Sequence, residues 1–327
     1  MTVDPGLAVR EALSYRPVRP DELQICTDIW RDSINDYTRR LNMPDLQAEV
    51  APLLRLYTHL QATDPHRFVV ATQAYGAGDA GKRIVAFAAA FQRERLWFLS
   101  MCFVRPEVQA AGVGRRLLVE VGPRSPDGAD EGEIVRATAT DSAQPISNAL
   151  YASVGMVPRV PLLNLIGLPE RPEAFGALPS GVTPVPFEVL ARDGHDRLAA
   201  TVDTLDRESL GVAHPIDHAY LRGESRRGWL YHGPDGAAVA YGYATEAGRI
   251  GPVASRDAGL LAPILGHLSS AITPRGAFAT WLPGTADRAV VATLQAGFRL
   301  EPFPILLCWD RPFADLSRYL PISPGLL

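Results

Sequence analysis

The sequence predicts an α/β chain, of the α+β kind, built from two tandem domains, each a mixed, largely antiparallel sheet flanked by helices. Three observations predict it. The stretch Leu96 to Leu118 reads as a buried strand, a glycine turn and a helix. The apolar runs Phe68 to Thr72, Ile84 to Gln92 and Leu96 to Val104 follow one another at hairpin spacing, as an antiparallel meander does. Past residue 181 the chain starts again: Pro17-Val18 recurs as Pro184-Val185, Val85-Ala86-Phe87 as Val239-Ala240-Tyr241, Arg95 as Arg249, and Gly155-Met156 as Gly297-Phe298. Each match is weak, but their common order marks a degenerate internal repeat.

Taken in order, Tyr15 to Pro20 predicts a first strand that hands over to a helix near Asp21, with Ile25, Ile29 and Trp30 on one face. A second helix is expected over Leu46 to Leu60. The meander follows, joined by a glycine-rich turn (Gly76 to Gly81) and a charged one (Arg93 to Arg95). In Leu96 to Val104 the aromatic and β-branched content suits a strand buried on both faces, and Pro106 ends it. From Arg115, Leu117, Leu118 and Val121 recur at helical spacing, and Pro123 to Glu133 reads as a polar loop. Ile134 to Thr138 is the next strand. Asp141 and Ser142 are candidate caps for a helix that stops at Gly155. Residues 169–181, rich in proline and glycine, read as a linker between domains at 1–168 and 182–327, the second including an apolar C-terminal tail from Pro312.

Composition excludes several classes. With 47% hydrophobic and 21% charged residues the chain is globular, and its net charge of −4 gives no basic footprint for nucleic acid. No apolar run is long enough for a membrane span and the first residues do not form a signal peptide, so a cytoplasmic protein without membrane partners is expected. Cys26, Cys102 and Cys308 are far apart and show no metal-ligand spacing, so no disulfide and no metal are expected, and Cys102 reads as a buried structural thiol.

The chemistry concentrates in the turn Gln109-Ala110-Ala111-Gly112-Val113-Gly114, followed by Arg115 and Arg116. Two glycines let a ligand approach the backbone, and the free N–H groups of a helix start favour an anion such as phosphate. The spacing matches neither the dinucleotide fingerprint nor the Walker loop. With its preceding strand and proline, the turn resembles the acetyl-CoA pyrophosphate loop of the GCN5-related N-acetyltransferases, the GNAT family. Leu150-Tyr151 followed by Gly155-Met156 is similar to that family's second signature.

The resemblance implies an acetyl-CoA-dependent N-acetyltransferase, active in its N-terminal domain, that moves the acetyl group to a primary amine on a small molecule or protein. It implies that backbone groups of Met101, Cys102, Phe103 and Val104 pair with pantetheine, and that N–H groups from Gln109 to Arg115 hold the pyrophosphate. Arg115 and Arg116 would add positive charge. Tyr151 matches the acid that protonates the leaving thiolate, and either Gln144 or Asn148 would touch the cofactor. The base is open: the strand position where some members carry glutamate is Phe98, which leaves Glu94 or Asp141, then Asp32 or Asp36, acting directly or through water. An amine that arrives neutral needs none of them.

His59, His66, His214 and His218 are candidates by type only. In His214-Pro215-Ile216-Asp217-His218 the proline favours a helix start with His214 outside, and the pair reads as structural. The second copy lacks the glycine turn and offers Asp257 there, so its nucleotide site is expected to be lost. A sensor that binds CoA or acyl-CoA without turnover is the competing reading, and a carrier-protein or aminoacyl-tRNA donor is a lesser one. The chain is expected to be a monomer or homodimer.

Overall fold

The computed structural model describes residues 13–46, 49–74, 82–109, 111–123 and 133–327. The chain falls into two compact units, one of residues up to 92 with 97–138, the other of residues 93–96 with 139–327. The units therefore divide the chain differently from the two sequence copies.

In the first unit, β1 (Leu13–Pro17) pairs antiparallel with β2 (Phe68–Ala74) and β2 antiparallel with β3 (Lys82–Arg93). Next in sheet order come β4 (Leu96–Val104) and β5 (Val135–Asp141), the last residues of which count with the second unit. The Thr138 hydroxyl donates to the Leu99 carbonyl at 2.9 Å, which ties β5 to the middle of β4. Three helices accompany this sheet: α1 (Leu23–Arg40), α2 (Ala51–Thr63) and α3 (Val113–Glu120). The second helix starts at Ala51, where Pro52 occupies the first turn, rather than at Leu46. Ahead of α1 a 3-10 turn, Pro20–Glu22, holds the chain: the buried Glu22 carboxylate accepts from both Arg16 terminal nitrogens at 2.6 and 2.7 Å and from the Arg19 N–H at 2.9 Å. The core is aromatic, with Tyr57 edge-on to Phe68 and Phe87 at 5.6 and 5.5 Å, and the buried Trp97 donating its ring N–H to the Val121 carbonyl.

The second unit contains α4 (Pro145–Ala152) and β6 (Val157–Gly167), followed by β7 (Thr183–Pro186), α5 (Phe187–Ser209), α6 (Pro215–Gly223), β8 (Arg227–His232), β9 (Ala238–Ala244), β10 (Arg249–Ser255), α7 (Leu261–Ala271), β11 (Phe278–Pro283), α8 (Asp287–Gln295), β12 (Arg299–Leu300), β13 (Ile305–Trp309) and β14 (Tyr319–Leu320). β7, β8, β9 and β10 are successive antiparallel neighbours, β10 meets β11 in parallel, and β6 lies antiparallel to both β11 and β13. The elements β1 to β6 with α1 to α4 and those from β7 to β13 with α5 to α8 follow the same order apart from the extra two-residue β12, so the repeat read from scattered dipeptides is a repeat of whole elements.

Two segments are packed rather than free. Residues 169–181 contain a 3-10 turn, Pro172–Phe175, and Phe175 is buried in the second unit's core against Phe298. The C-terminal tail returns as β14. Parallel pairing of β10 with β11 stops at Ile250 with Thr280, and beyond it Val253 and Ala254 pair instead with Leu320 and Tyr319, while the Ser255 N–H donates to the Arg318 carbonyl. The tail thus fills a gap between two parallel strands that diverge, and Tyr319 and Leu320 are fully buried in it.

Truncating this plug removes packing that no neighbouring side chain replaces. Leu320→Ala is expected to destabilise the second unit by about 2–5 kcal/mol, read as an earlier urea transition by tryptophan fluorescence.

Candidate active site

The first unit contains a strand–turn–helix whose far end opens. Along β4 every residue from Leu96 to Ser100 is buried, whereas Met101, Cys102, Phe103 and Val104 are only half-buried. Cys102 is accordingly a half-buried thiol and not the enclosed one that the sequence predicts. The strand is buried where β5 is bound to it at Leu99 and half-buried from Met101 onward.

The turn that follows is braced from several sides. The Val104 carbonyl accepts from the Gln109 side-chain amide and from the Ser33 hydroxyl, both at 3.0 Å. The Arg105 N–H donates to the Val85 carbonyl at 2.9 Å, and its guanidinium pairs with Asp32 at 2.7 Å. Gly112 caps α3 from the left-handed region at φ 76°, a conformation that costs glycine little and a β-branched residue a great deal. The Arg116 N–H donates to the Gly112 carbonyl at 3.1 Å, which ties the turn to the first residues of the helix. Ala110 lies outside the described residues. Arg115 is exposed. Arg116 pairs with Glu120 at 2.7 Å and lies over the Tyr15 ring, so much of its charge is already matched.

The other residues singled out by sequence lie on elements of the second unit. Tyr151 is buried on α4. The helix is capped by Gln144, whose side chain accepts from the Ile146 N–H, and not by Asp141 or Ser142. Asp141 instead accepts from the Ala143 N–H at 2.8 Å, which closes the turn before the helix. Asn148 donates to the carbonyls of Asp141 and Gln144 at 2.9 and 2.7 Å, while its Oδ1 is buried with no hydrogen-bond partner. Glu94 is held at the hairpin tip by Arg207 at 2.7 Å. Asp32 and Asp36 are paired with Arg105 and Arg40. Phe98 is buried and stacked on Phe91 at 5.3 Å.

The corresponding turn of the second copy is closed to anions. Asp257 accepts from the Gly259 N–H at 2.8 Å, so a carboxylate of the chain itself takes the donor that an anion would use. In the same copy the β14 plug occupies the strand edge of β10 next to this turn.

Sequence reasoning missed a buried polar cluster around the two histidines. His214 and His218 stack at 4.4 Å, His214 capping α6 from outside the helix. Asp206 on α5 accepts from His218 Nε2 at 2.8 Å, lies 3.3 Å from His214 Nε2, and accepts from the Tyr241 hydroxyl. Because Asp206 takes the Nε2 proton of His218, His218 Nδ1 accepts from the Tyr243 hydroxyl at 3.1 Å. Asp217 receives the Arg93 guanidinium on both oxygens at 2.8 Å. Burial opposes charge on all of these groups, but the two histidines more than offset it at Asp206 and hold its carboxyl well below the usual range. Burial likewise pulls His214 down and Asp206 more than restores it, so its net shift is upward, whereas burial and the charge of His214 lower His218. Asp206, His214 and His218 could offer a cation three ligand atoms within 4.8 Å of one another, although those atoms already serve hydrogen bonds that a cation would displace. The cluster reads most simply as a neutralised core network.

No protein-family model matches the sequence, and no curated protein does. Solved structures match its fold. A candidate acetyltransferase from Pyrococcus horikoshii is 14% identical and superposes with a TM-score of 0.68 over 97% of this chain and 96% of its own. A GCN5-related N-acetyltransferase from Sphaerobacter thermophilus is 16% identical, TM-score 0.57, over 94% and 99%. A tandem GNAT protein from the clavulanic acid biosynthesis pathway is 14% identical, TM-score 0.52, over 92% and 99%. Among the described residues no helix is long and apolar enough to cross a membrane.

The cluster has a defined pH signature. The lowered Asp206 contributes stability above its unfolded value near 4, lost as pH falls through its folded value, and the raised His214 contributes stability below its unfolded value near 6.5, lost as pH rises through its folded value. The stability gap between the natural chain and His214→Gln should therefore be widest below about pH 6.5 and narrow above it in urea titrations across pH 5 to 9. A gap of constant size would show a histidine that never carries charge. Asp206→Asn should cost about 3–5 kcal/mol, since it leaves the imidazolium without its counter-charge.

Proposed function

We propose that this chain, which has the fold of the GCN5-related N-acetyltransferases, transfers an acetyl group from acetyl-CoA to a primary amine, with the donor held by the first unit. The observation that carries the reading is the contrast between the two copies. In the second, a diverging sheet gap is filled by the chain's own β14 and the helix start is stopped by Asp257. In the first, Met101 to Val104 stay half-buried and the helix that Gly112 caps has no acidic residue in its first turn.

Acetyl-CoA supplies an activated thioester carbonyl. Backbone groups of Met101 to Val104 pair with pantetheine amides as β14 pairs with β10, and they hold the carbonyl where an amine nitrogen can attack its carbon. The N–H groups between Gln109 and Arg115 hold the pyrophosphate, with Arg115 adding charge. As the new C–N bond forms, the C–S bond breaks, and Tyr151 gives its hydroxyl proton to the departing thiolate. Asn148, with a buried acceptor that lacks a donor, suits a pantetheine N–H better than Gln144, whose side chain caps its helix. The ammonium proton leaves through water, because Glu94, Asp32 and Asp36 are held in ion pairs and Asp141 in a turn.

Two variants test this reading. Gly112→Val should abolish CoA binding in calorimetry while leaving the second unit's unfolding unchanged, since valine cannot take the positive φ of the turn. Tyr151→Phe should lower the maximal rate of thiol release by about a hundredfold or more with CoA affinity retained. Tight CoA binding with no thiol release against any primary amine would identify a sensor in place of an enzyme.

A further inference from the structure

A second site lies wholly within the second unit. A cavity of about 500 Å³ opens between α5, α6 and the start of β8. One face of α5 supplies its apolar wall through Phe187, Ala191, Leu198 and Val202, and Pro215 adds to it from α6. It is distinct from the remnant of the nucleotide turn. Arg226 beside it donates to the Gly251 carbonyl, near the start of β10, whereas Asp257 follows the end of that strand.

Arg226 points to the ligand. Its guanidinium lines the cavity and donates to the Gly251 carbonyl, and among the described residues no carboxylate pairs with it. Arg226 is half-buried, and burial lowers its pKa to about 10, an effect the nearby Glu224 only partly offsets. The neighbouring Arg227 is different: Glu188 matches it at 3.3 Å and it lies over the Trp229 ring. The remaining carboxylate of the wall, Asp203, stands on α5 close to Asp206 and His218, and burial and then the Asp206 charge raise its pKa. Arg222 also lines the cavity.

A largely apolar chamber whose lining sets the guanidiniums of Arg222, Arg226 and Arg227 against the carboxylates of Glu188 and Asp203, an excess of one positive charge, suits a ligand that is hydrocarbon for most of its length and singly anionic at one end. The planar fork of arginine matches a carboxylate, whereas a dianionic phosphate would also face Asp203 and Glu188. We propose that this cavity binds an apolar monocarboxylate, its carboxylate bidentate on Arg226 and its chain along the α5 wall. The site is independent of the acetyl-CoA reading and stands or falls without it.

The probe is sodium decanoate titrated into the full chain by calorimetry, beside decanol and decylamine. Saturable binding of one decanoate per chain is expected, with decanol at least about tenfold weaker and decylamine not bound. Arg226→Gln should weaken decanoate about tenfold or more, and Ala199→Trp, which fills the cavity from the α5 face, should abolish binding. Should Arg226→Gln fail to fold, Ala199→Trp and the decanoate to decanol ratio decide. No saturable decanoate binding, equal binding of decanol, or decanoate affinity unchanged in the folded variants would overturn the proposal.

Discussion

A sheet whose parallel strands diverge leaves backbone N–H and C=O groups facing each other across a space too wide for their hydrogen bonds, and buried groups of this kind need partners. That obligation is visible in the second unit. In the second copy the chain meets it internally, because Val253 and Ala254 take Leu320 and Tyr319 where β11 has moved away. In the first copy the corresponding stretch of β4 is half-buried and is followed by a turn that Gly112 closes from the left-handed region.

Two copies of one element order thus differ at a strand edge and at a helix start. Asp257 and β14 close the second copy at two points, one electrostatic and one by strand addition. Once a gap is occupied by the chain itself, the turn beside it no longer has to admit an anion, and a carboxylate that caps its own loop becomes favourable there. The second unit is then free to put its polar residues to other uses, including the balanced core network of Asp206, His214, Asp217 and Arg93.

Much of this was legible before the fold was known, and the misses have physical causes. The limits of β4 coincide with the predicted run because Pro106 ends it and the Arg93 to Arg95 turn begins it. The proline at 215 correctly places His214 just outside a helix. The cap of α4 was misassigned because Asp141 has the better capping chemistry but spends it on Ala143, leaving the weaker Gln144 to the helix. Asp206 could not be found as the partner of the two histidines, since it stands on a different helix and no local pattern joins them. The tail was read as apolar enough to dock, but its target is a backbone edge on β10, and strand edges leave no mark in the side-chain pattern. The half-buried Cys102 belongs to the same class of error: an apolar run shows that a strand is buried on average, not where along its length a neighbour departs.

The hairpin tip at Arg93 to Leu96 bears on how the protein can be dissected. It follows β3 of the first unit, yet its contacts class it with the second, where Arg93 neutralises the enclosed Asp217 and Glu94 meets Arg207. A fragment beginning at residue 182 would lack this arginine as well as β6, and would carry a solvent-free anion with no counter-ion and a missing central strand. The second copy is therefore not an autonomous module, because its enclosed carboxylate is neutralised by an arginine that precedes it by 124 residues.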